Sequence, residues 1–343
     1  MKSKLFFLLL FQVSLTHCFA QQLPLPAEIS RIAFGSCNSQ DKDQPMWAVM
    51  QKDNPELFIF LGDNIYGDTE NMAELQLKYR KLGDKPGYID FKKKVPIVAT
   101  WDDHDYGVND GGKEYPKKVE SKKIFLDFFN EPENSERRKH EGIYTSYTIG
   151  EAGKRIQIIM LDCRTFRDSI CRIGEDESCI GEYGKCSDTT KTMLGKAQWI
   201  WLEQELKKPA DLRLMASSTQ FLVDFNGWEA WVNMPHERQH FLNLIKKTKA
   251  NGVFFISGDL HYAELSVLKE KDAYPIYDLT TSGLTHGHNC AGPNINRIYG
   301  AFMDANYGLI NINWMKKEFT VYIKDEKGEE KILHTVPFSE LKF

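Results

Sequence analysis

The chain has 343 residues, 42% apolar and 27% charged, enough to bury the core of one large domain or of two ordinary ones. Its 44 Lys and Arg fall short of its 48 Asp and Glu, a formal charge of −4 that argues against a nucleic-acid-binding module. The lysine runs at 92–94 and 117–123 read as solvated helix faces.

Residues 1–20, MKSKLFFLLLFQVSLTHCFA, carry two lysines, a short apolar stretch and a small last residue, the pattern of a secretory signal peptide cleaved after Ala20. That stretch is too short to span a bilayer. The expectation is a secreted or periplasmic chain with no transmembrane segment in its mature form. A lipid anchor at Cys18 ranks second, because His17 fits poorly where lipid attachment usually needs a small residue. Cys37, Cys163, Cys171, Cys179, Cys186 and Cys290 remain, and in an oxidising compartment most of them should pair. Cys171, Cys179 and Cys186 lie in a Gly- and Asp-rich insertion at about 169–190, which calls for at least one disulfide; the connectivity stays open.

Along the chain, apolar runs of strand length alternate with helical patterns. Strands are expected at 31–37, 57–62, 96–100, 155–162, 212–218 and 253–258. Trp199, Leu202 and Leu206 space one helical face; Phe241, Leu244 and Ile245, after the helix-starting Pro235, space another. Beyond residue 275 the runs IYDLTTSG, YGLININW and EFTVYIKD alternate, with a turn at Glu326 to Gly328, and suggest antiparallel strands. With no repeat or linker in view, residues 21–343 read as a single α/β domain.

Polar residues cluster where these strands end. Cys37 follows the first, Asp63 and Tyr66 the second, Asp102, Asp103, His104 and Asp105 the third, Arg164 and Arg167 the fourth, and Asp259 and His261 the last. Open α/β sheets place their sites just beyond such carboxyl ends. Two carboxylates about 5 Å apart repel by roughly 3 kcal/mol at an effective dielectric of about 20, so the acids need a proton or a cation between them. Taken singly, each residue has a blander reading: a turn-forming Asp, a half-buried Tyr, a disulfide-bonded or buried Cys, an Arg that ties a loop to Asp162 or Asp168.

GDNIY (62–66), WDDHD (101–105) and GDLH (258–261), in that order, resemble the signature of the calcineurin-like metallophosphoesterases. FGSC (34–37), LDCRTFRD (161–168) and TMLGKAQWIWLEQEL (192–206) bring the resemblance closer to the PhoD-like alkaline phosphatases, over roughly residues 31–285. The resemblance implies a four-layer αββα sandwich with mixed sheets, and a phosphatase or phosphodiesterase that hydrolyses phosphate esters at a dinuclear or multinuclear metal centre, with hydroxide supplied there as nucleophile. It implies Fe³⁺ held by Cys37, Asp63 and Tyr66, and a second ion held by Asp63, Asp103 and Asp259, with His261 able to serve either. Asp102 and Asn109 are additional candidates. Oxygen ligands in the last motif favour Ca²⁺ as the second ion, with Mg²⁺, Mn²⁺ or Zn²⁺ as alternatives. His104 is placed to protonate the leaving group or steady the phosphate, and Arg164 and Arg167 to grip phosphate oxygens bidentately. His286 and His288 either face the site or line a loop; Trp228 and Trp231 form either a lid or buried core. The main alternative is a non-catalytic cell-surface calcium- or phosphate-binding protein on the same fold, and a hydrolase using Cys37 as nucleophile with His104 is a third reading.

Overall fold

The computed structural model describes residues 24–174 and 179–343. The expected signal peptide at 1–20 and Cys18 lie outside the described residues. Among those described, no helix is long and apolar enough to cross a membrane.

Two mixed sheets carry the fold. In the first, strands run edge to edge in the order Glu330–Pro337, Glu318–Asp325, Asn306–Asn313, Arg31–Gly35, Leu57–Leu61 and Ile97–Thr100. The last three are mutually parallel and the others antiparallel. In the second, the order is Arg297–Phe302, Ala263–Leu268, Ile276–Thr281, Val253–Ser257, Leu212–Ser217, Ile156–Met160 and Thr145–Ile149, with a parallel centre from Ile276–Thr281 to Ile156–Met160. All six strands expected in the first 260 residues are present, as are helices Gly195–Leu206 and Pro235–Thr248. The run at 276–281 departs from expectation: it is antiparallel to Ala263–Leu268 on one side but parallel to Val253–Ser257 on the other, because it is an interior strand buried along its length.

Successive side chains of a strand face opposite ways, and that period builds the layers. Leu57, Ile59 and Leu61 enter the core between the sheets, whereas Phe58 and Phe60 turn outward onto Trp47, Tyr88 and Phe91 of helices Met46–Lys52 and Pro86–Lys92. In the second sheet Phe254 meets Phe319 of the first, while Phe255 meets Phe241 on helix Pro235–Thr248. Helix, sheet, sheet and helix therefore stack in four layers. Each fully buried aromatic or aliphatic side chain contributes roughly 1.5–3 kcal/mol of transfer free energy, so this core fixes where the strand ends lie.

The insertion contains the short antiparallel pair Cys171–Arg172 and Tyr183–Gly184. Two disulfides staple it: Cys171 to Cys186 within the insertion, and Cys179 to Cys290 on a loop 111 residues away. Cys37 and Cys163 are buried free thiols.

Candidate metal centre

The parallel strands of both sheets end on the same side, and the loops leaving them converge. Backbone conformation marks the place: Cys37, Asp63, Asp259 and His261 all have positive φ, of 59°, 49°, 80° and 59°. Such left-handed backbone costs a non-glycine residue on the order of 1–3 kcal/mol and persists only where the surrounding structure imposes it. Gly62, at φ 107°, makes the tight approach feasible, because a Cβ there would sit 2.6 Å from Cβ of Asp102.

Candidate ligand atoms fall into overlapping groups. One oxygen each from Asp63, Asp102, Asp103 and Asp259 lie within 4.8 Å of one another, and so do atoms of Cys37, Asp63 and His261. Asp63 belongs to both groups. The Cys37 Sγ lies 3.3 Å from Asp63 Oδ2, and the Tyr66 hydroxyl 3.0 Å from His261 Nε2. Asp63 Oδ1, Asp102 Oδ2 and Asp103 Oδ1 are buried and lack any hydrogen-bond partner among the described residues. Buried acceptors are nearly always satisfied, so three carboxylate oxygens without a hydrogen bond, one of them with Arg164 Nη2 at 3.6 Å, converging with a thiol fit a multivalent cation.

The electrostatics agree. Burial, reinforced by the charges of Cys37 and Asp103, pushes the Asp63 carboxyl well above its usual range. Asp259 is pushed up by burial and then by Asp102 and Asp103. Burial likewise raises Tyr66 and, against hydrogen bonds from Ser282 and Ser36, Cys37. A cation reverses that logic and favours the ionised forms.

The three neighbouring aspartates divide their work. Asp105, raised to about 8 by burial, accepts from Tyr79 Oη at 3.3 Å, the Asp102 amide at 2.7 Å and both the amide and side chain of Asn64, and so ties loop 63–66 to its own helix. Asp102 accepts from Arg164 Nε and from Ser218 Oγ at 2.6 Å through Oδ1 and keeps Oδ2 for the cluster. Burial alone would raise Asp103, but Arg164 and His104 outweigh it and hold its carboxyl at about 2.

His104 donates through Nδ1 to Asp68 Oδ1 at 2.7 Å, and its ring centroid lies 4.4 Å from that of Tyr66. Burial opposes its protonation, yet Asp103 and Asp68 outweigh burial and hold its pKa at about 9. Arg164 is fully buried, enclosed by Asp102, Glu229 and, at 3.6 Å, Asp103. Arg167 is 2% exposed and reaches Glu229 Oε1 at 2.9 Å and the Asp110 carbonyl. Asn109 is exposed and lines a cavity of about 380 Å³ that adjoins Asp103, His104 and Asp259. His286 turns Nε2 to within 3.5 Å of the Tyr66 hydroxyl, and His288 lines the cavity. Trp231 is buried core, its Nε1 donating to Ser217 Oγ at 3.0 Å, whereas the half-buried Trp228 stands at the cavity wall.

Sequence reasoning passed over Glu229, Asp68, Ser282 and Ser218. Glu229 is held between the two tryptophans of GWEAW, an acid among aromatics that could have been flagged as a buried ion-pair partner. Ser282, whose Oγ lies 3.0 Å from Cys37 Sγ and 2.6 Å from the His261 amide, follows a seventh strand ending at the site. A small polar residue carries no such signal.

Stacked mixed sheets with acids, a thiol, a phenol and imidazoles gathered beyond their parallel strands define a metallophosphoesterase-like architecture. Residues 32–305 match the family model described as "PhoD-like phosphatase", and the chain belongs to that family. No curated protein sequence matches it. Among solved structures, one described as "Structure of PhoD" is similar with a TM-score of 0.69 at 16% identity, over 92% of this chain and 73% of that one. A dimetal phosphatase from Danio rerio is similar with a TM-score of 0.54 at 12% identity, over 91% and 99% of the two chains. GAP50, described as the anchor in the inner membrane complex of Plasmodium, has a TM-score of 0.52 at 10% identity, over 91% and 89%. At these identities the likeness is one of fold.

Proposed function

We propose that this PhoD-like phosphatase is a secreted, metal-dependent hydrolase of phosphomonoesters, phosphodiesters or both. The observation that carries the reading is the pair of ligand groups sharing Asp63, with three buried carboxylate oxygens unsatisfied around it. Cys37, Asp63, Tyr66 and His261 would hold the iron-type ion; Asp63, Asp102, Asp103 and Asp259, all oxygen donors, would hold a harder second ion of Ca²⁺ type. When bound, such a pair supplies Lewis-acid activation of water and neutralises charge on the phosphoryl oxygens.

The chain's own residues have distinct tasks in this reading. Asp68 orients His104 through Nδ1, leaving Nε2 to donate to the phosphate or the departing oxygen. Arg164 locks Asp102 and Asp103 in place and keeps positive charge close behind them. Glu229 in turn fixes Arg164 and Arg167, so these arginines act by positioning unless the substrate displaces a carboxylate. The paired disulfides and the N-terminal pattern support an oxidising, extracytoplasmic location.

Metal analysis combined with a visible spectrum and rates on p-nitrophenyl phosphate and bis(p-nitrophenyl) phosphate tests the proposal. The expected result is iron with a thiolate or phenolate absorption band, and turnover abolished by Asp63→Ala. An Asp63→Ala protein with full metal content and unchanged turnover overturns it.

A further inference from the structure

The cavity of about 380 Å³ reaches beyond the metal cluster to a second wall, and that wall has its own chemistry. It is formed by Asp110, Glu182, Tyr183, Trp228 and Tyr262. Glu182 and Tyr183 come from the disulfide-stapled insertion, Trp228 from the loop that packs on Gly181 of that insertion. No Lys or Arg lines the cavity among the described residues, and its basic groups are histidines. His104 and His261 belong to the metal cluster, and His288 spends Nδ1 on the Cys290 carbonyl at 2.7 Å.

The nearby arginines do not cancel the wall's charge. Arg164 and Arg167 are consumed by Asp102 and by Glu229, which itself lines the cavity. Arg172 meets Glu182 at 2.9 Å and lies over the Tyr183 ring at 5.7 Å, but its side chain is 68% exposed, so water screens both contacts and an ammonium can compete for them. Among the described residues the Asp110 carboxylate accepts from the Tyr183 hydroxyl at 2.6 Å, and one of its oxygens lies within 4.8 Å of oxygens of Asp103 and Glu229. Tyr262 is 2% exposed, and its hydroxyl has no partner in hydrogen-bonding geometry among the described residues. Carboxylates interleaved with aromatic rings repel an anion and suit a cation, which gains both ion pairing and the ring quadrupole.

We propose that the wall recognises the alcohol portion of the substrate, and that the preferred substrates are phosphate esters of alcohols bearing an ammonium group. The inference rests on the phosphoesterase reading. The phosphoryl group lies toward Asp103, His104 and Asp259, and the ammonium toward Glu182 and Asp110, against Tyr183 and Trp228. In hydrolysis the oxygen of water ends on phosphorus, the P–O bond to the alcohol breaks, and the alcohol oxygen takes the proton. Charge at the far end of the alcohol then decides which esters are used.

The test measures kcat/KM of the metal-loaded, full chain on phosphocholine, phosphoethanolamine, glycerol 3-phosphate and 3-phosphoglycerate, with p-nitrophenyl phosphate as a reference. The expected order is ammonium ester over neutral ester over anionic ester, with about tenfold between the first two, the scale of one favourable cation–ring and ion-pair contact. Glu182→Gln should narrow the spread and Glu182→Lys should invert it; Trp228→Leu is the second handle should either fold poorly. Phosphocholine above phosphoethanolamine assigns the larger share to the rings, the reverse order to the carboxylates. Equal use of all four esters, or preference for the anionic one, overturns the inference while turnover of p-nitrophenyl phosphate leaves the phosphoesterase reading standing. No turnover of any ester removes both.

Discussion

The two walls of the cavity are built by opposite means. One is made of strand ends: Cys37, Asp63, Asp103 and Asp259 follow strands that are buried throughout but for Arg31 at the start of the first. The other leans on an insertion whose own strands are two residues long, fastened by two disulfides, and which supplies Glu182 and Tyr183. The contrast teaches a division of labour. On the proposed reading the sheets supply the rigidity that ligands would need, and a covalent staple suffices where substrate shape and charge would be read.

The comparison can be broken first at its centre. Asp63→Ala should abolish turnover and cost the protein metal, measured by elemental analysis of the purified variant, because Asp63 belongs to both ligand groups. Retention of both ions would mean that the strand ends do not form one linked site. Next in size is Glu229→Ala, which strips Arg164 and Arg167 of a shared partner. Breaking a buried ion pair from one side costs about 3–5 kcal/mol, so denaturant unfolding should show a loss of that size with a fall in kcat. A change below about 1 kcal/mol would show that Arg164 is satisfied by Asp102 alone.

On the stapled side, replacing Cys179 and Cys290 together by Ser should lower stability by about 2–4 kcal/mol, since that bridge closes a long loop. Metal content should survive, and its loss would show that the two walls are not independent. The smallest effect is expected from Asp68→Asn, which weakens the hydrogen bond orienting His104. About a tenfold drop in kcat with an unaltered metal content is anticipated, the low end of losses from outer-partner changes. An equal fall for Asp68→Asn in a His104→Ala background would contradict the coupling and be read by a double-mutant cycle.

The legibility of these regions in the sequence followed the same divide. Strands such as LFIFLG are continuous apolar runs because both faces are covered, and a residue of ligand type directly after such a run stands out. That signal brought forward Cys37, Asp63, Tyr66, Asp103, Asp259 and His261, all of which the structure gathers. Thr145–Ile149, Arg297–Phe302 and Glu330–Pro337 were not legible, because edge strands expose one side and carry mixed polar residues. Glu229 and Asp68 lay hidden because their importance comes from partners more than thirty residues away, Arg164 and His104, which no local pattern reports. The Cys179 to Cys290 bridge, spanning two distant loops, was open for the same reason.

The left-handed turns at Cys37, Asp63, Asp259 and His261 carry one more implication. Loops held in a costly shape by the sheets beneath them have their gauge set before any ion arrives. On the proposed reading such a socket would sort its occupants by radius, as a rigid gauge does, instead of closing around whichever cation is most abundant.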